Sequence, residues 1–550
     1  MGIDVGTGEP TRQGAGAGAA GSPSGLRGRD WFSPVAWVVA VVPGVLGLIT
    51  GGYHVSRPPI WGDEGVTKAM TARSVSQILA TMPHDDIVHG AYYLVVHAVE
   101  TVAGSSAPTV LRAPSVVAMA VAAAFTALIA RRLATIAGSP YPAVTGLAAG
   151  VLFALLPAVI RYAQEARSYA IVTMLAAITT YLLLKAIEDG GRWWIGYAVA
   201  AALTGLFNIF GLLILVAHGV TLLIAAPGMP GPPGLAGRRS AGVLARWALA
   251  GIVAVVVLIP IVAFAYTQRN ALAWMTGHIA IRSAAVNLAR TWAGPEKLFW
   301  PVVGLTVFGV AADAVTWRRG RPSVTPGSVA LPWLVLPPAV LLVASEFHLV
   351  YDGRYVEYCL PALAILVAWG LTWLAMLIAA AVRPLSRAGL AWLGWLPAAA
   401  ILVLLVIVLI PADAKVSLPS SRPDNLAGDS QIVTANAKPG DIVFFIPMSY
   451  RPVEVEYPAQ WRGVRDIAQV QSPVASDTLY GIDVSPAELL KRFTHVTRVW
   501  VYTQPANAAY MASSRATAVD KEEMSLVARL KLVRRWVDGD KMLLLYQTRE

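Results

Sequence analysis

Long apolar segments recur along the first three quarters of the chain, separated by short polar stretches. A helix of about 20 apolar residues crosses a hydrocarbon layer roughly 30 Å thick, and charged residues are kept out of these segments. The pattern predicts an all-α polytopic membrane bundle of about eleven transmembrane helices. The predicted spans are 34–50, 115–130, 143–160, 169–184, 193–210, 211–226, 247–266, 298–315, 330–344, 358–381 and 391–410.

The polar segments differ in charge, and this difference predicts the orientation. If the N-terminus is cytoplasmic, the loops that carry Arg131, Arg132, Lys185 and Arg192 are all cytoplasmic, as Lys and Arg in short loops normally are. The remaining polar segments then lie outside, namely 51–114, 161–168, 267–297, 346–357 and the C-terminal region. We therefore predict a multi-pass protein of the cytoplasmic (inner) membrane, with its polar clusters gathered on the outer face.

The two ends of the chain do not follow the apolar pattern. Residues 1–30 are rich in Gly, Ala, Ser and Thr and lack apolar periodicity, which predicts a disordered cytoplasmic tail before a transmembrane domain over 31–411. From 412 to 550 the apolar runs shorten to strand length, which predicts a small extracytoplasmic α/β domain. Its predicted elements are strands at 441–447 and 499–503, helices at 486–493 and 521–530, and a hairpin over 532–546. This domain is expected to cap the site or bind an acceptor, with a purely structural role as the alternative.

Composition supports the membrane assignment. Of the 550 residues 56% are hydrophobic and 14% are charged, whereas a soluble domain carries about 25% charged residues. The net charge of +11 is typical of basic cytoplasmic loops that face anionic lipids and does not indicate nucleic acid as a partner. The single cysteine, Cys359, excludes an intrachain disulfide.

Two adjacent carboxylates, Asp63 and Glu64, follow the first apolar segment. They fit a solvated loop or a helix cap, but the outer segment 51–114 is longer than a simple connection needs. Apolar spacing over 66–79 and 89–102 predicts two helices lying in the membrane interface. These helices would bring further polar side chains, namely Asp86, His89 and Tyr92, to the level of Asp63, where we predict that they contact the substrate.

Two later outer segments carry arginines next to aromatic and polar residues. One contains Gln164, Glu165, Arg167 and Tyr169, and the other contains Arg354 and Tyr355. The residues beside the arginines are predicted to contact the substrate, namely Gln164, Glu165, Tyr169 and Tyr355. Arg and Tyr can simply anchor a chain at the interface, but arginines at membrane level usually have a partner or a ligand. A guanidinium offers several donors in the geometry that a phosphate accepts, so Arg167 and Arg354 are predicted to bind a phosphate.

One carboxylate and two arginines at the outer membrane surface suit glycosyl transfer from a lipid-linked phosphate sugar. The donor leaves as a phosphate, which requires positive charge more than a general acid. One base, with Asp63 and Glu64 as the catalytic candidates, would deprotonate the acceptor hydroxyl, and a single displacement would invert the anomeric centre. Glycoside hydrolysis, by contrast, needs two carboxylates.

Histidines in the outer segment raise the question of a metal. His84, His89 and His97, with Asp85 and Asp86, could hold a divalent cation, but their spacing matches no established metal motif. We expect chemistry that requires no cofactor, and a divalent cation stays the open alternative.

An ordered set of motifs over residues 31–380 resembles a known family. The motifs are Trp61-Gly62-Asp63-Glu64, the segment from His89 to Tyr93, Arg112-Ala113-Pro114-Ser115, Gln164-Glu165-Ala166-Arg167-Ser168-Tyr169, and Arg354-Tyr355 followed by Pro361. Together they resemble the GT-C class of integral membrane glycosyltransferases, specifically glycosyltransferase family 39, the protein O-mannosyltransferase and aminoarabinose-transferase-like group. The resemblance implies a polyprenyl-phosphate-sugar donor, with Asp63 as catalytic base and Arg167 among the phosphate ligands.

Within this group the chain is similar to actinobacterial (mycobacterial) mannosyltransferases that extend lipoglycans, such as the mannose-capping enzymes of lipoarabinomannan. It departs from the aminoarabinose transferases, which carry a Lys-Pro-Pro-Leu-like stretch where this chain has Val88-His89-Gly90-Ala91-Tyr92. The missing lysine argues against aminoarabinose. The expected reaction is transfer of mannose to a lipoglycan or glycolipid; an arabinosyltransferase or a lipid-linked sugar flippase is the alternative.

Overall fold

The computed structural model describes residues 33–226, 236–269, 280–320, 324–381 and 396–549. The tail predicted over residues 1–30 lies outside the described residues. Over the described ranges the chain forms a helical bundle followed by a region that combines helices with a small sheet. This arrangement confirms the predicted fold class, a helical membrane bundle with a small C-terminal α/β region.

The helical part contains both long apolar helices and short helices between them. In chain order the helices are α1 (Pro34–Gly52), α2 (Gly62–Thr71), α3 (Val75–Thr81), α4 (Gly90–Ala103), α5 (Pro108–Ile136), α6 (Pro142–Ala154), α7 (Pro157–Ala163), α8 (Tyr169–Asp189), α9 (Trp193–Phe207), α10 (Leu213–Ala225), α11 (Ala236–Thr267), α12 (Ile281–Ala293), α13 (Phe299–Gly320), α14 (Pro326–Ala344), α15 (Leu360–Ala381) and α16 (Leu396–Val416). Short 3₁₀ helices include Ile87–His89, Ile209–Leu212 and Gly353–Cys359.

The number of membrane spans depends on how broken helices are counted. Within the described residues, eight helices are long and apolar enough to cross a membrane, and the pair α6 and α7, bent by 60°, makes a ninth when taken as one span. Two shorter apolar helices, Trp193–Phe207 and Ile209–Ala225, account for the other two predicted spans. The bend precedes Pro157, which has no N–H to continue the α6 ladder.

Small residues let the membrane helices approach closely. A Cβ on Gly370 of α15 would lie 2.2 Å from the Leu305 carbonyl oxygen of α13, and one on Gly309 would lie 2.6 Å from the Leu366 oxygen. Lipid tails are as apolar as the side chains, so helix association in a membrane relies on close backbone packing of this kind. These contacts fix α15, whose N-terminal end carries one of the predicted site segments.

The outer segment between α1 and α5 contains three helices where the apolar spacing predicted two. The helix predicted over 66–79 is broken, because α2 ends at Thr71 and Ser74 starts α3 with a capping box formed with Gln77. Such a box satisfies backbone donors at a new helix start. The helix predicted over 89–102 is present as α4.

The C-terminal region has the predicted α/β composition. Its helices are α17 (Leu426–Asn436), α18 (Pro452–Glu456), α19 (Pro458–Trp461), α20 (Pro486–Arg492), α21 (Asn507–Ala512) and α22 (Ala518–Ala528), and its strands are β1 (Ile442–Phe445), β2 (Arg465–Asp466), β3 (Gln469–Gln471), β4 (Ile482–Asp483), β5 (Arg498–Thr503), β6 (Lys531–Asp538) and β7 (Lys541–Gln547). Five strands form one sheet in the order β2-β1-β5-β7-β6, and β3 pairs with β4. In the large sheet β1 is parallel to β2 and β5, whereas β7 is antiparallel to β5 and β6.

This α/β region rests on the outer segment. Lys68 of α2 forms an ion pair with Glu456 at 2.9 Å. The Arg73 guanidinium donates to the Thr478 carbonyl oxygen at 2.7 Å, and the Leu479 N–H donates to an Asp85 carboxylate oxygen at 2.9 Å. The predicted candidate residues of the outer segment therefore lie beneath the α/β region.

Candidate active site

Asp63, in the first turn of α2, lies between two arginines that are distant in sequence. Its Oδ2 accepts a hydrogen bond from Arg354 Nη1 at 2.6 Å and lies 3.9 Å from Arg167 Nε. The Asp63 side chain is 31% exposed. Three residues predicted from separate segments thus meet around one partly open carboxylate.

The surrounding charges control the ionisation of Asp63. Burial acts to raise the pKa of the carboxyl group, but the charges of Arg167 and Arg354 outweigh burial and hold the pKa below its ordinary value. Asp63 is therefore a carboxylate near neutral pH while the arginines are in contact with it.

Arg167 is held by a hydrogen-bonded group from the outer segment. Its Nη2 lies 3.1 Å from His89 Nε2, and its Nη1 lies 3.4 Å from the Tyr93 hydroxyl. His89 Nδ1 is 2.5 Å from Asp86, which also accepts a hydrogen bond from Tyr93. The arrangement assigns the His89 proton to Nδ1 and leaves Nε2 to accept from Arg167.

The pKa of Asp86 follows the same balance. Burial acts to raise it, but the hydrogen bond from His89 and the charge of Arg167 together hold it below its ordinary value. An ionised Asp86 keeps the His89 ring oriented, and His89 in turn contacts the Arg167 guanidinium. The predicted residues Asp86 and His89 therefore position Arg167.

Arg354 lies against an aromatic surface. Its guanidinium carbon is 5.9 Å from the ring centre of Tyr169 and 5.7 Å from that of Tyr355, within the range of a cation–π contact. The Nε of Arg354 lies 3.2 Å from Asp352. The two tyrosine rings are 6.3 Å apart, and Phe210 extends the surface at 5.2 Å from Tyr355.

Glu64 points away from this group and into the protein. It is fully buried, and its carboxylate accepts from Arg112 Nε at 2.7 Å, from Arg112 Nη2 at 2.6 Å and from the Ala166 N–H at 2.8 Å. Successive residues of a helix project about 100° apart, so the neighbours Asp63 and Glu64 face different surroundings. The prediction that Glu64 is catalytic is corrected to a structural role.

Arg112, the partner of Glu64, belongs to the motif Arg112-Ala113-Pro114-Ser115, but the sequence reasoning assigns it no role in the site. Its guanidinium also donates to carbonyl oxygens of the loop before α2, those of Val55 at 2.6 Å, Pro58 at 2.9 Å and Pro59 at 3.0 Å. The available signal was a lone arginine at the start of the apolar helix α5, since such residues rarely lack a buried partner. The Glu64–Arg112 pair therefore fixes the loop that precedes α2.

Three other predicted contact residues are used inside the protein. Gln164 donates to the carbonyl oxygens of Gly51 and Tyr53 at 3.2 and 2.7 Å and accepts from Ser417 at 3.0 Å. These bonds tie the C-terminal ends of α1, α7 and α16 together. Gln164 therefore has a structural role in place of the predicted substrate contact.

Glu165 and Tyr92 are also buried. Glu165 is 1% exposed and forms an ion pair with Arg161 at 2.6 Å; burial raises its pKa, although Arg161 acts in the opposite direction. The Tyr92 hydroxyl lies 3.2 Å from Ser115 Oγ. Both side chains thus have partners inside the protein, and their contact with a substrate stays a prediction.

The histidines considered for a metal do not come together. His97 Nδ1 lies 2.9 Å from the Thr71 carbonyl oxygen, whereas His89 is paired with Asp86. Among the described residues, no group of three or more His, Cys, Asp or Glu side chains is placed to hold a metal ion. The described site therefore offers a carboxylate and two guanidinium groups.

Comparisons with known proteins give a likeness at the level of the fold. No family model matches the sequence, and a search of curated proteins finds no match. The apo crystal structure of ArnT from Cupriavidus metallidurans matches with a TM-score of 0.50 and 15% identity, covering 92% of this chain and 97% of that chain.

Two other solved structures are more distant. AglB, the oligosaccharyltransferase of Archaeoglobus fulgidus in complex with an inhibitory peptide and a dolichol-phosphate, matches with a TM-score of 0.47 and 10% identity over 94% of this chain and 74% of that chain. The arabinosyltransferase EmbB from Mycobacterium smegmatis matches with a TM-score of 0.36 and 14% identity over 91% and 45%. The fold assignment rests on the first match. The chain is a multi-pass membrane protein of the GT-C fold.

Proposed function

We propose that this protein is an inverting glycosyltransferase that moves a sugar, mannose, from a polyprenyl-phosphate donor to a hydroxyl of a cell-envelope lipoglycan or glycolipid. The observation that carries the proposal is the position of Asp63 between Arg354 and Arg167, with 31% of its side chain exposed. The GT-C fold supports it, because integral membrane glycosyltransferases are built on this fold.

The two arginines suit a phosphate leaving group. Charge-assisted hydrogen bonds from guanidinium groups to phosphate oxygens are among the stronger polar contacts in proteins, and fixed positive charge stabilises the charge that develops on a leaving phosphate. Arg167 is oriented by His89 and Tyr93, and Arg354 by Asp352 and its aromatic neighbours. Both guanidinium groups are thus positioned before a donor arrives.

In the proposed step, Asp63 takes the proton of the acceptor hydroxyl. The acceptor oxygen forms a bond to the anomeric carbon while the bond from that carbon to the phosphate oxygen breaks. The electron pair of the broken bond stays on the polyprenyl phosphate, which Arg167 and Arg354 hold. The products are the glycosylated acceptor with inverted configuration, the polyprenyl phosphate and a protonated Asp63.

Donor binding would also prepare Asp63 as a base. Without donor, the arginines hold its pKa below the ordinary value, which weakens it as a proton acceptor. A donor phosphate competes with Asp63 for the same guanidinium groups, and weaker pairing lets the pKa rise toward the range useful for general-base catalysis. The carboxylate thus becomes basic when its substrate is present.

Within this proposal the protein lies in the cytoplasmic membrane with its N-terminus in the cytoplasm and its site on the outer face. Residues 31–411 form the catalytic domain, with interfacial helices in the outer segment 51–114, and residues 412–550 form the extracytoplasmic domain. The polyprenyl chain lies in the lipid beside Tyr355 and Phe210. Basic residues of the loops opposite the site support this orientation.

Two alternatives use the same residues differently. An arabinosyltransferase would transfer arabinose from the same type of lipid phosphate, and the phosphate site does not distinguish the two sugars. A lipid-linked sugar flippase would bind the donor without breaking the bond to phosphate. The described polar cluster at one face favours transfer, because transporters generally place their site near the middle of the membrane.

The test is an assay with purified protein in lipid nanodiscs. Polyprenyl-phosphate-mannose and polyprenyl-phosphate-arabinose are supplied separately with envelope lipoglycan, and released polyprenyl phosphate and labelled glycan are both measured. We expect release and labelling with the mannosyl donor. Labelling with arabinose alone would replace the sugar assignment, and donor binding with no released polyprenyl phosphate would favour a flippase.

The Asp63→Asn variant tests the base. We expect transfer to fall by about 10²- to 10⁴-fold, the usual contribution of a general base, while donor affinity is kept or increased because the arginines lose a competing anion. Glu488→Gln, an exposed residue of α20, serves as the matched control. Normal turnover by Asp63→Asn would refute the assignment of Asp63.

A further inference from the structure

The start of α2 is capped by a residue of the α/β region. The residue before the helix, Trp61, makes no side-chain hydrogen bond to the first turn. Instead, the Gly62 N–H donates to Asp424 Oδ1 at 2.9 Å, across 362 positions of sequence. Backbone donors at a helix start need such acceptors, and a negative side chain also suits the positive end of the helix.

Asp424 is itself held in place. It is 4% exposed, and its second oxygen lies 3.0 Å from Lys541 Nζ. The ammonium group of Lys541 in turn lies 4.1 Å from the ring centre of Tyr450. Asp424 therefore presents one oxygen to α2 while the other is fixed inside the α/β region.

The turn between β6 and β7 holds the backbone next to Asp424. The Asp540 N–H donates to the Pro423 carbonyl oxygen at 2.8 Å. Gly539 adopts φ +56°, and a Cβ there would lie 1.9 Å from that same oxygen. Only glycine fits both the left-handed backbone and the close approach. The turn therefore packs directly against Pro423, the residue before Asp424.

We infer that Asp424 is a positioning residue for Asp63, through the hydrogen bond from the Gly62 N–H to the Asp424 carboxylate. This inference rests on the proposed function, because it gives the cap a purpose in the transfer reaction. Gly62 directly precedes Asp63, so a shift of the first turn of α2 moves the Asp63 carboxylate relative to Arg354. Misplacement of a reacting group by about 1 Å can lower a rate by about 100-fold.

Two substitutions break this hydrogen bond from opposite ends. Asp424→Ala removes the acceptor. Gly62→Pro removes the donor, and its ring takes the place of the N–H and displaces the Asp424 carboxylate from the helix start. Proline suits the first position of a helix, and Trp61 already has the extended backbone, φ −111° and ψ 173°, that a following proline requires. Gly62→Ala keeps the N–H and adds a Cβ that would lie 3.2 Å from Asp424 Oδ2, so it measures the effect of crowding the carboxylate while the donor is retained.

A stability control comes from the same α/β region. Asp441 is a buried carboxylate that accepts from Arg498 at 2.9 Å and Trp500 at 2.9 Å. Asp441→Asn perturbs the region without changing a side chain that contacts α2. Asp424→Asn keeps an oxygen acceptor and is expected to retain more function than Asp424→Ala.

Hydrogen–deuterium exchange of α2 tests the cap without any assay of activity. We expect amides of the first turn in Asp424→Ala to exchange about fivefold faster than in wild type, the effect of losing a typical N-cap. Asp441→Asn should leave these amides unchanged. Unchanged exchange in Asp424→Ala would overturn the inference whatever the protein catalyses.

Transfer kinetics then test what the cap does. We expect Asp424→Ala and Gly62→Pro to lower kcat by about 10- to 100-fold with donor affinity changed less than about twofold, and Asp424→Asn to recover part of the rate. Faster exchange with a normal kcat would overturn the positioning role. Absence of transfer by the wild-type protein with both donors would instead refute the proposed function, and the exchange experiment would still decide the cap.

Discussion

Adjacent substitutions at Asp63 and Glu64 should give opposite phenotypes. Glu64→Gln leaves the Arg112 guanidinium buried without its counter-ion, since both side chains are fully buried and joined by two hydrogen bonds of 2.7 and 2.6 Å. Removing one partner of a buried ion pair typically destabilises a protein by about 3–5 kcal/mol. That is a large part of the 5–15 kcal/mol that stabilises a typical domain.

The expected effect of Glu64→Gln is therefore on folding. Arg112 also holds three carbonyl oxygens of the loop before α2, so loss of the pair should loosen this loop together with α2. Thermal unfolding in detergent micelles should show Tm lowered by several degrees. Asp63→Asn, which removes a partly exposed carboxylate, should unfold close to wild type and yet fail to transfer sugar.

A double variant makes the comparison sharper. Glu64→Met with Arg112→Leu removes both charges, so no buried counter-ion is left unpaired, but it also leaves the three loop carbonyl oxygens and the Ala166 N–H without these partners. We expect the double variant to recover only the part of the Tm loss that comes from the unpaired Arg112 charge. If Glu64→Gln instead keeps the wild-type Tm and abolishes transfer, the structural role given to Glu64 is wrong and Glu64 belongs to the chemistry.

Three further predictions concern the donor site. Arg167→Ala should weaken donor binding by about 10- to 100-fold, the value of a charge-assisted hydrogen bond. The measurement is the affinity of the protein in nanodiscs for polyprenyl phosphate, and the control variant Arg465→Ala, at an exposed residue, should bind normally. Arg167 and Arg354 hold the pKa of Asp63 below its ordinary value, so kcat/KM, which reports the free enzyme, should persist as pH falls to about 4. The value of kcat, which reports the enzyme with bound donor, should decline at a higher pH. If both fall at the same pH, the donor phosphate does not compete with Asp63 for the arginines. Tyr169→Leu removes the ring beside Arg354 and should lower kcat/KM by about 2- to 30-fold, whereas Tyr169→Phe keeps the ring and should keep most of the rate.

The fold followed from the sequence because apolar length is a direct signal of membrane helices. Each of the eleven predicted apolar runs overlaps a helix or a bent helix pair of the described structure. The apolar pattern did not predict where a helix breaks inside an apolar segment. The two breaks are the 60° bend before Pro157 and the interruption at Asn208, whose side chain caps a 3₁₀ helix. Those breaks depend on local backbone hydrogen bonds, which hydropathy does not report.

The candidate site followed only in part. Charge clusters on one predicted face identified Asp63, Arg167 and Arg354, and the structure brings them together. The sequence could not separate Asp63 from Glu64, because the distinction depends on which helix face meets Arg112. The structural role of Gln164 could not be predicted either, because Gln164 donates to backbone carbonyl oxygens, and side-chain composition does not reveal such partners.

The contacts of α2 explain why an acidic pair, and not a single acid, begins this helix. Glu64 fixes the inner side of the first turn through Arg112 and Ala166, and Thr67, one turn later, donates to the Ala166 carbonyl oxygen at 3.0 Å. Asp424 fixes the outer end through Gly62. With both sides of the turn held, Asp63 has little freedom to follow Arg354 when a donor phosphate engages that arginine. Before the donor binds, Arg167 and Arg354 weaken Asp63 as a base. Once the donor phosphate binds these arginines, the fixed turn leaves the Asp63 carboxylate in place and its pKa rises.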